Sequence, residues 1–391
     1  MVKSISAGYA HTLALLKDGS VYAWGSNKYG RLGNNVCESC SAPIKVEGLS
    51  GIKSVSAGLN HSLALSRDGS VYVWGRNVYG QLGDGTCIDS FIPVCCVEGL
   101  PKIESISAGY VHSLALSGDG SVYGWGGNWY SQLSNDACKN CLFPVKVVGL
   151  PVAKLVSAGC FHSLALGEDG SVYAWGLNYY GQLGNGVLGR QLLPIRVKEL
   201  PKIKSISAGD YHSLALSGDG SVYAWGWNCH GQLGDGNCVD CSNPVKVEGL
   251  SGIESISAGY AHTLALLKDG SVYAWGDNEF GQLGGGEVLD VLIALGDDGD
   301  SVLVPFKNEG LLDIKDISAG DCHSLALSED GSVYAWGLNN YGQLGDGTRV
   351  DRFVPVCVKG LPVMGVKSNK NNRKLVDSLL SEKNAIGGSL L

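Results

Sequence analysis

Proline is scarce in this chain, with 11 residues in 391 against 58 glycines. Glycine recurs at fixed places and so marks turns rather than disorder. A cationic excess is missing too. Lys and Arg number 29 against 37 Asp and Glu, a net charge of −8. A long basic groove for nucleic acid is therefore not expected. No apolar run approaches the ~18 residues that cross a bilayer, so membrane insertion is not expected either. Repeat sequence begins at Val2, so a secretory leader is not expected. The thirteen cysteines are then expected to be mostly free thiols in a reducing compartment, cytoplasmic with nuclear as the alternative.

What the chain does have is a period. Seven histidines, His11, His61, His112, His162, His212, His262 and His323, are spaced by five steps of 50 or 51 residues and one of 61. A tryptophan follows each by thirteen residues: Trp24, Trp74, Trp125, Trp175, Trp225, Trp275 and Trp336. Residues 4–25 and 255–276 are identical. Each unit offers four short strands, in the first Val2–Ser6, Thr12–Leu16, Ser20–Trp24 and Ile44–Glu47. Lys17-Asp18-Gly19 joins the second to the third as a hairpin turn. Tyr22 and Trp24 fall on one face, Val21 and Ala23 on the other, and helical periodicity is absent from the repeat.

Seven four-stranded antiparallel units can protect their edges by closing radially, which predicts an all-β, seven-bladed propeller. An open β-solenoid ranks lower, because its coils are shorter. The expected domain is 1–362, with blades near 2–50, 51–101, 102–151, 152–201, 202–251, 252–312 and 313–362. A tail, 363–391, carries Lys367, Lys370, Arg373 and Lys374, then Leu375, Val376, Leu379 and Leu380 at the spacing of one short amphipathic helix. The ring closes either by whole units abutting or, if the blade frame is shifted, by a shared strand.

The motifs SAGxxHSLAL, DGSVYAWG and NxYGQLG, in seven tandem copies across residues 2–362, resemble the repeats of the regulator of chromosome condensation family. The resemblance implies the same seven-bladed propeller. It also implies protein-binding roles. Such propellers serve in ubiquitin ligases, in ciliary transport and in β-lactamase inhibition, and some members activate the small GTPase Ran. Members that sense ultraviolet light place tryptophan in the glycine–histidine turns. Those turns carry none here, which sets photoreception aside.

A residue present in every blade cannot define one active site. The histidines are expected to hydrogen-bond within or between blades, and the tryptophans to pack between blades with the indole N–H on a carbonyl. Asn27, Asn77, Asn128, Asn178, Asn228, Asn278 and Asn339 should pin the following turn. Function should lie where the repeats differ. The two residues before each histidine vary and supply Tyr9, Tyr110, Phe161, Asp210, Tyr211, Tyr260 and Asp321. Trp129 and Trp227 stand beside Arg76, Tyr179 and His230 in the loops around the asparagines. Aromatic residues with polar edges suit protein partners; the bland alternative is that these rings cap the central channel. His230 takes the aromatic place of its NxYGQLG motif and is expected to be a surface substitution.

The step of 61 places extra residues between Gly284 and Pro305. They read as an added hairpin on blade six turning at Asp298-Gly299 and carrying Glu287, Asp290, Asp297, Asp298 and Asp300. Exchange-active members of the resembled family wedge a comparable hairpin against their GTPase. The CxxC pairs Cys37/Cys40, Cys138/Cys141 and Cys238/Cys241 fall in alternate blades, too far apart to complete one zinc site, so each is expected as free thiols or a local disulfide. No cofactor or metal is expected. The expected function is a non-catalytic, monomeric scaffold for protein partners. The alternative is guanine nucleotide exchange on a Ran-like small GTPase, with Asp210, Asp321 and the blade-six hairpin competing for the phosphate-binding lysine.

Overall fold

The structure, a computed structural model, describes residues 1–36, 38–95, 99–136, 138–286 and 300–362. In the first repeat β1 spans Val2–Ala7, β2 His11–Leu16, β3 Val21–Gly25 and β4 Cys40–Lys45. They form one antiparallel sheet in the order β1-β2-β3-β4, and the same order recurs in seven four-stranded sheets. Met1–Leu361 form one unit, a seven-bladed propeller. The expected tail helix and the tip of the blade-six insertion, including Asp297 and Asp298, lie outside the described residues.

The outer strand corrects the sequence reading. It was expected at Ile44–Glu47 and runs from Cys40 to Lys45. The pairing of β3 with β4 shifts register between Ala23 and Gly25. That bulge carries the pairing of Gly25 back to Cys40 and leaves Val46 beyond the strand but buried. In blade six, Ser301–Val304, read from the sequence as the second arm of an added hairpin, belong to the outer strand Ser301–Asn308 itself.

Every residue of β2 is buried, because a blade covers each of its faces. The apolar cores therefore sit between blades. Leu13, Leu15, Val21 and Leu32 of blade one pack on Ile52, Ala64 and Trp74 of blade two. The closing seam repeats this, with Val2, Ile5 and Trp24 against Leu325, Leu327 and Leu344. All seven repeat tryptophans are fully buried, each contributing roughly 4–6 kcal/mol of apolar burial.

Polar latches tie each blade to the next. Trp74 Nε1 donates to Arg31 O at 2.8 Å and Ser62 Oγ donates to the same oxygen at 2.9 Å. His11 Nε2 meets Ser62 Oγ at 2.9 Å. A carbonyl only accepts, so the hydroxyl proton is committed to it and the imidazole must donate through Nε2. At the closing seam Trp24 Nε1 and Thr12 Oγ1 donate to Gln343 O, both at 2.9 Å, and His323 Nε2 donates to Thr12 at 3.1 Å. Whole blades thus abut, with no strand shared between the two ends.

Two glycines show why these turns tolerate no side chain. A Cβ on Gly8 would sit 2.5 Å from Gly58 O and 2.6 Å from His11 Cε1. Gly25, at φ +99°, would place one 2.5 Å from Ala10 O. The asparagines pin their loops as expected. Asn77 Oδ1 accepts from Leu82 N at 2.9 Å, and its Nδ2 donates to Asp84 Oδ1 at 2.9 Å.

Candidate functional site

Within each blade the strands alternate in direction. The β1–β2 turn and the long β3–β4 loop therefore emerge on the same face of the ring. This face gathers the residues in which the repeats differ. The first member of each variable pair points to the axis. Tyr9, Leu59, Tyr110, Asp210, Tyr260 and Asp321 ring the mouth of the central channel, a cavity of 160 Å³. Cys160, in the equivalent place, is buried instead. The second member leans outward, and where it is aromatic, as at Phe161 and Tyr211, it meets the β3–β4 loops.

Those contacts build two aromatic groups. In the first, Tyr79 packs edge-on against Trp129 at 4.4 Å between centroids, and Trp129 lies 6.4 Å from Phe161. Phe161 also meets Tyr130 at 5.1 Å and Tyr110 at 5.5 Å. In the second, Trp227 lies 5.4 Å from both Tyr260 and His230, 5.9 Å from Tyr211 and 6.1 Å from Tyr180. Neighbouring residues Tyr179 and Tyr180 link the groups along the chain, since Tyr130 meets Tyr179 at 6.0 Å. Trp129 and Trp227 are half-buried, and Tyr9 keeps 43% of its surface exposed. The rings neither plug the channel nor stand free; they pave one face from blade two to blade six. Each edge-on pair contributes about 0.5–1.5 kcal/mol beyond its burial, which holds the surface in one conformation.

The mouth is electrostatically unusual. Burial pushes the Asp321 carboxyl up to about 7, with Asp277 adding to the rise, against a hydrogen bond from Cys322 that lowers it. Asp210 is raised well above the carboxylate range by burial and by Asp321. Two carboxyls facing one narrow mouth cannot both ionise freely. Among the described residues no group of three or more His, Cys, Asp or Glu could hold a metal ion, and no helix is long and apolar enough to cross a membrane. Cys138 and Cys141 form a local disulfide with Cα–Cα 5.6 Å, while Cys238 and Cys241 form no disulfide with each other.

The structure thus gathers Tyr110, Phe161 and Trp129 in one group and Tyr211, Trp227 and Tyr260 in another. Tyr9, Asp210 and Asp321 stand at the mouth. Asp300 is exposed on blade six. Sequence reasoning missed the motif tyrosines Tyr79, Tyr130 and Tyr180, which recur and so looked like scaffold. It also missed Arg31. The signal there was plain: Arg31 replaces the glutamine of NxYGQLG in one blade alone.

These features define a propeller with one variable, aromatic face. The chain belongs to the RCC1-like domain family, whose pattern matches residues 1–293; regulator of chromosome condensation repeats match 269–327, 314–343 and 330–368. It is similar to the ultraviolet-B receptor UVR8 of Arabidopsis thaliana, 44% identical over 59 residues, 15% of this chain and 13% of that protein. It is also similar to the E3 ubiquitin-protein ligase HERC2 of Homo sapiens, 32% identical over 129 residues, 32% of this chain and 3% of that protein. The matches thus span only a small part of these relatives. Among solved structures it resembles Prp20p of Saccharomyces cerevisiae, a protein with binding properties toward Gsp1p and histones, at 26% identity and TM-score 0.79, covering 93% of this chain and 95% of that one.

Proposed function

We propose that this protein is an interaction scaffold whose partner proteins seat on the face carrying Trp129 and Trp227. The observation that supports this reading is the paving of that face by two packed aromatic groups, each centred on a tryptophan that the repeat does not require. Rigid, half-buried aromatics lose little entropy on binding and serve as anchors. The test is a pull-down from the native host with the wild type and with Trp129→Ala and Trp227→Ala. Each variant is expected to lose partner while keeping the circular dichroism spectrum of the folded wild type, at a melting temperature lowered by the lost ring contacts. Retention of every partner by both variants would refute the reading.

Nucleotide exchange on a Ran-like GTPase is the second reading. The likeness to Prp20p, which binds Gsp1p, favours it. The chemistry of the mouth weighs against it. A carboxyl at about 7 is half-protonated near neutrality and competes weakly for a phosphate-binding lysine. Release of fluorescent GDP from Ran discriminates the two. Acceleration, abolished by Asp321→Asn, supports exchange; no acceleration together with a stably captured partner supports the scaffold.

A further inference from the structure

Six blades carry glutamine in the loop after β3 or its equivalent, and its Oε1 accepts from the backbone N–H two residues earlier at 2.9–3.0 Å, as in Tyr79 N to Gln81 and Tyr341 N to Gln343. Blade one has Arg31 there. A guanidinium cannot accept, so that bond is lost, and Tyr29 adopts the left-handed region at φ +67°. Arg31 is only 2% exposed. Its Nε donates to Lys28 O at 3.0 Å and its Nη1 to Leu59 O at 3.1 Å. No carboxylate among the described residues lies within ion-pair distance of it. Burial draws its pKa down to about 10, while the nearby phenols of Tyr29, Tyr9 and Tyr341 push it back up and a second cation, Arg76, draws it down further.

The positive charge at this corner is therefore concentrated, and among the described residues no carboxylate pairs with Arg31, Arg76 or Lys28. The Arg76 guanidinium stacks over Tyr29 at 4.6 Å and Tyr79 at 5.5 Å, and the Lys28 ammonium lies over Tyr29 at 5.1 Å. Stacking occupies the faces of the half-buried Arg76, and among the described residues no carboxylate pairs with its N–H edge, the edge that takes a planar carboxylate in two bonds. Tyr9 and Tyr341, 43% and 44% exposed, flank the corner. A buried cation without a counter-anion is costly. Glutamine, used in every other blade, holds the backbone N–H through Oε1 and buries no charge, although its Nε2 finds no partner among the described residues in five of the six blades. A neutral solution abandoned at one place is the mark of a functional position.

We propose that the Arg31–Arg76–Lys28 corner is a carboxylate-binding subsite that receives an acidic, Asp- or Glu-bearing segment of a protein partner. Arg76 and Lys28 meet the carboxylates at the surface, and Arg31 supplies a fixed positive potential from beneath. The subsite deepens the scaffold reading and rests on it for the identity of the partner, but not for the binding of an acidic chain.

The test uses fluorescein-labelled deca-glutamate followed by anisotropy with the full-length protein. The net charge of −8 repels a polyanion overall, so binding has to be local. Saturable, salt-sensitive binding is expected. Arg31→Gln, which restores the residue of the other blades, and Arg76→Gln should each weaken it by at least about tenfold. Arg31→Gln should also raise the melting temperature, which a merely structural arginine would not do. Deca-lysine should not bind this corner, so its probe binding should survive both substitutions. Trp227→Ala, in the distant aromatic group, should keep deca-glutamate affinity even where it loses the native partner, which separates failure of this site from failure of the aromatic face. Absence of deca-glutamate binding, unchanged binding by Arg31→Gln, or a lowered melting temperature in that variant would each overturn the proposal. So would displacement by inorganic phosphate far more readily than by glutarate, which would make the corner a phosphate site.

Discussion

Acidification should unfold this propeller abruptly, because its seven interblade histidines are buried as neutral imidazoles. Each donates through Nε2 to a hydroxyl of the next blade, and Nδ1 finds no hydrogen-bond partner among the described residues. Burial holds six of them at about 3 and His11 well below its ordinary value, which two neighbouring histidines and Arg31 reinforce. The unfolded imidazole titrates at about 6.5. Between these values the unfolded chain holds more protons than the folded one, so stability falls as pH falls through 6.5. At pH 5 the loss is about 2 kcal/mol per histidine, roughly 14 kcal/mol for the set, and it barely depends on where near 3 the folded value lies. The mouth and inner-strand carboxyls act in the opposite sense. Asp321 at about 7 and Asp316 at about 6 are both raised chiefly by burial, so they stabilise the fold as pH falls. They return about 3 and about 1 kcal/mol at pH 5, and Asp210 adds to them in the same direction. The balance still consumes most of the ~5–15 kcal/mol stability of an ordinary domain. Tryptophan fluorescence and circular dichroism should show one steep transition between about pH 4 and 5.5, with a net uptake of about four protons on unfolding. Replacing one histidine by glutamine should lower that uptake by about one. A native signal persisting to about pH 3.5 would refute neutral, charge-excluding latches.

Two further outcomes follow from the same packing. Thr12→Val deletes at constant shape the hydroxyl that receives His323 and feeds Gln343 O at the closing seam. It should lower the urea midpoint by the equivalent of about 1–3 kcal/mol for an orphaned buried donor, whereas Thr12→Ser should stay within about 1 kcal/mol; equal midpoints for the two would contradict this. Thiol-reactive dye should label the exposed Cys87 and Cys229 quickly and spare Cys160, which is buried and whose thiol is pushed well up by burial with Asp210 adding. Labelling of Cys160 at the rate of Cys87 in the native protein would be incompatible with that burial.

The sequence made the ring legible because seven copies average out local noise. His11, Trp24 and Asn27 recur in step, and each copy votes for the same turn and the same pairing. The outer strand was misplaced by four residues at its start because it is half-exposed on both faces, and burial does not alternate along Cys40–Lys45. A strand at the rim presents little apolar pattern to read, and its register is set by a bulge at Gly25 that no periodicity announces. Trp129 and Trp227 were legible as departures from the repeat. Their packing partners were not, because Tyr79, Tyr130 and Tyr180 belong to the motif itself.

That last point limits the rule that shared residues build and variable residues bind. The motif tyrosine stands at the top of every blade except where His230 and Phe280 replace it, and its backbone N–H is held by the motif glutamine. The scaffold bond fixes the ring in space, and the ring then packs on whatever variable residue lies beside it: Trp129 edge-on at Tyr79, Phe161 and Trp227 tilted at Tyr130 and Tyr180. One residue thus does both jobs, and what a blade binds depends on its neighbour in space rather than on the motif. Blade one carries the idea furthest. There the glutamine that would hold the tyrosine has become Arg31, Tyr29 has turned into the left-handed region, and the partner beside its ring is a cation. Two departures from the repeat, Arg31 and the Arg76 guanidinium that blade two lays over Tyr29, together turn an aromatic-against-aromatic blade top into an aromatic-against-guanidinium one. A repeat protein can therefore acquire a charged subsite without altering its strands.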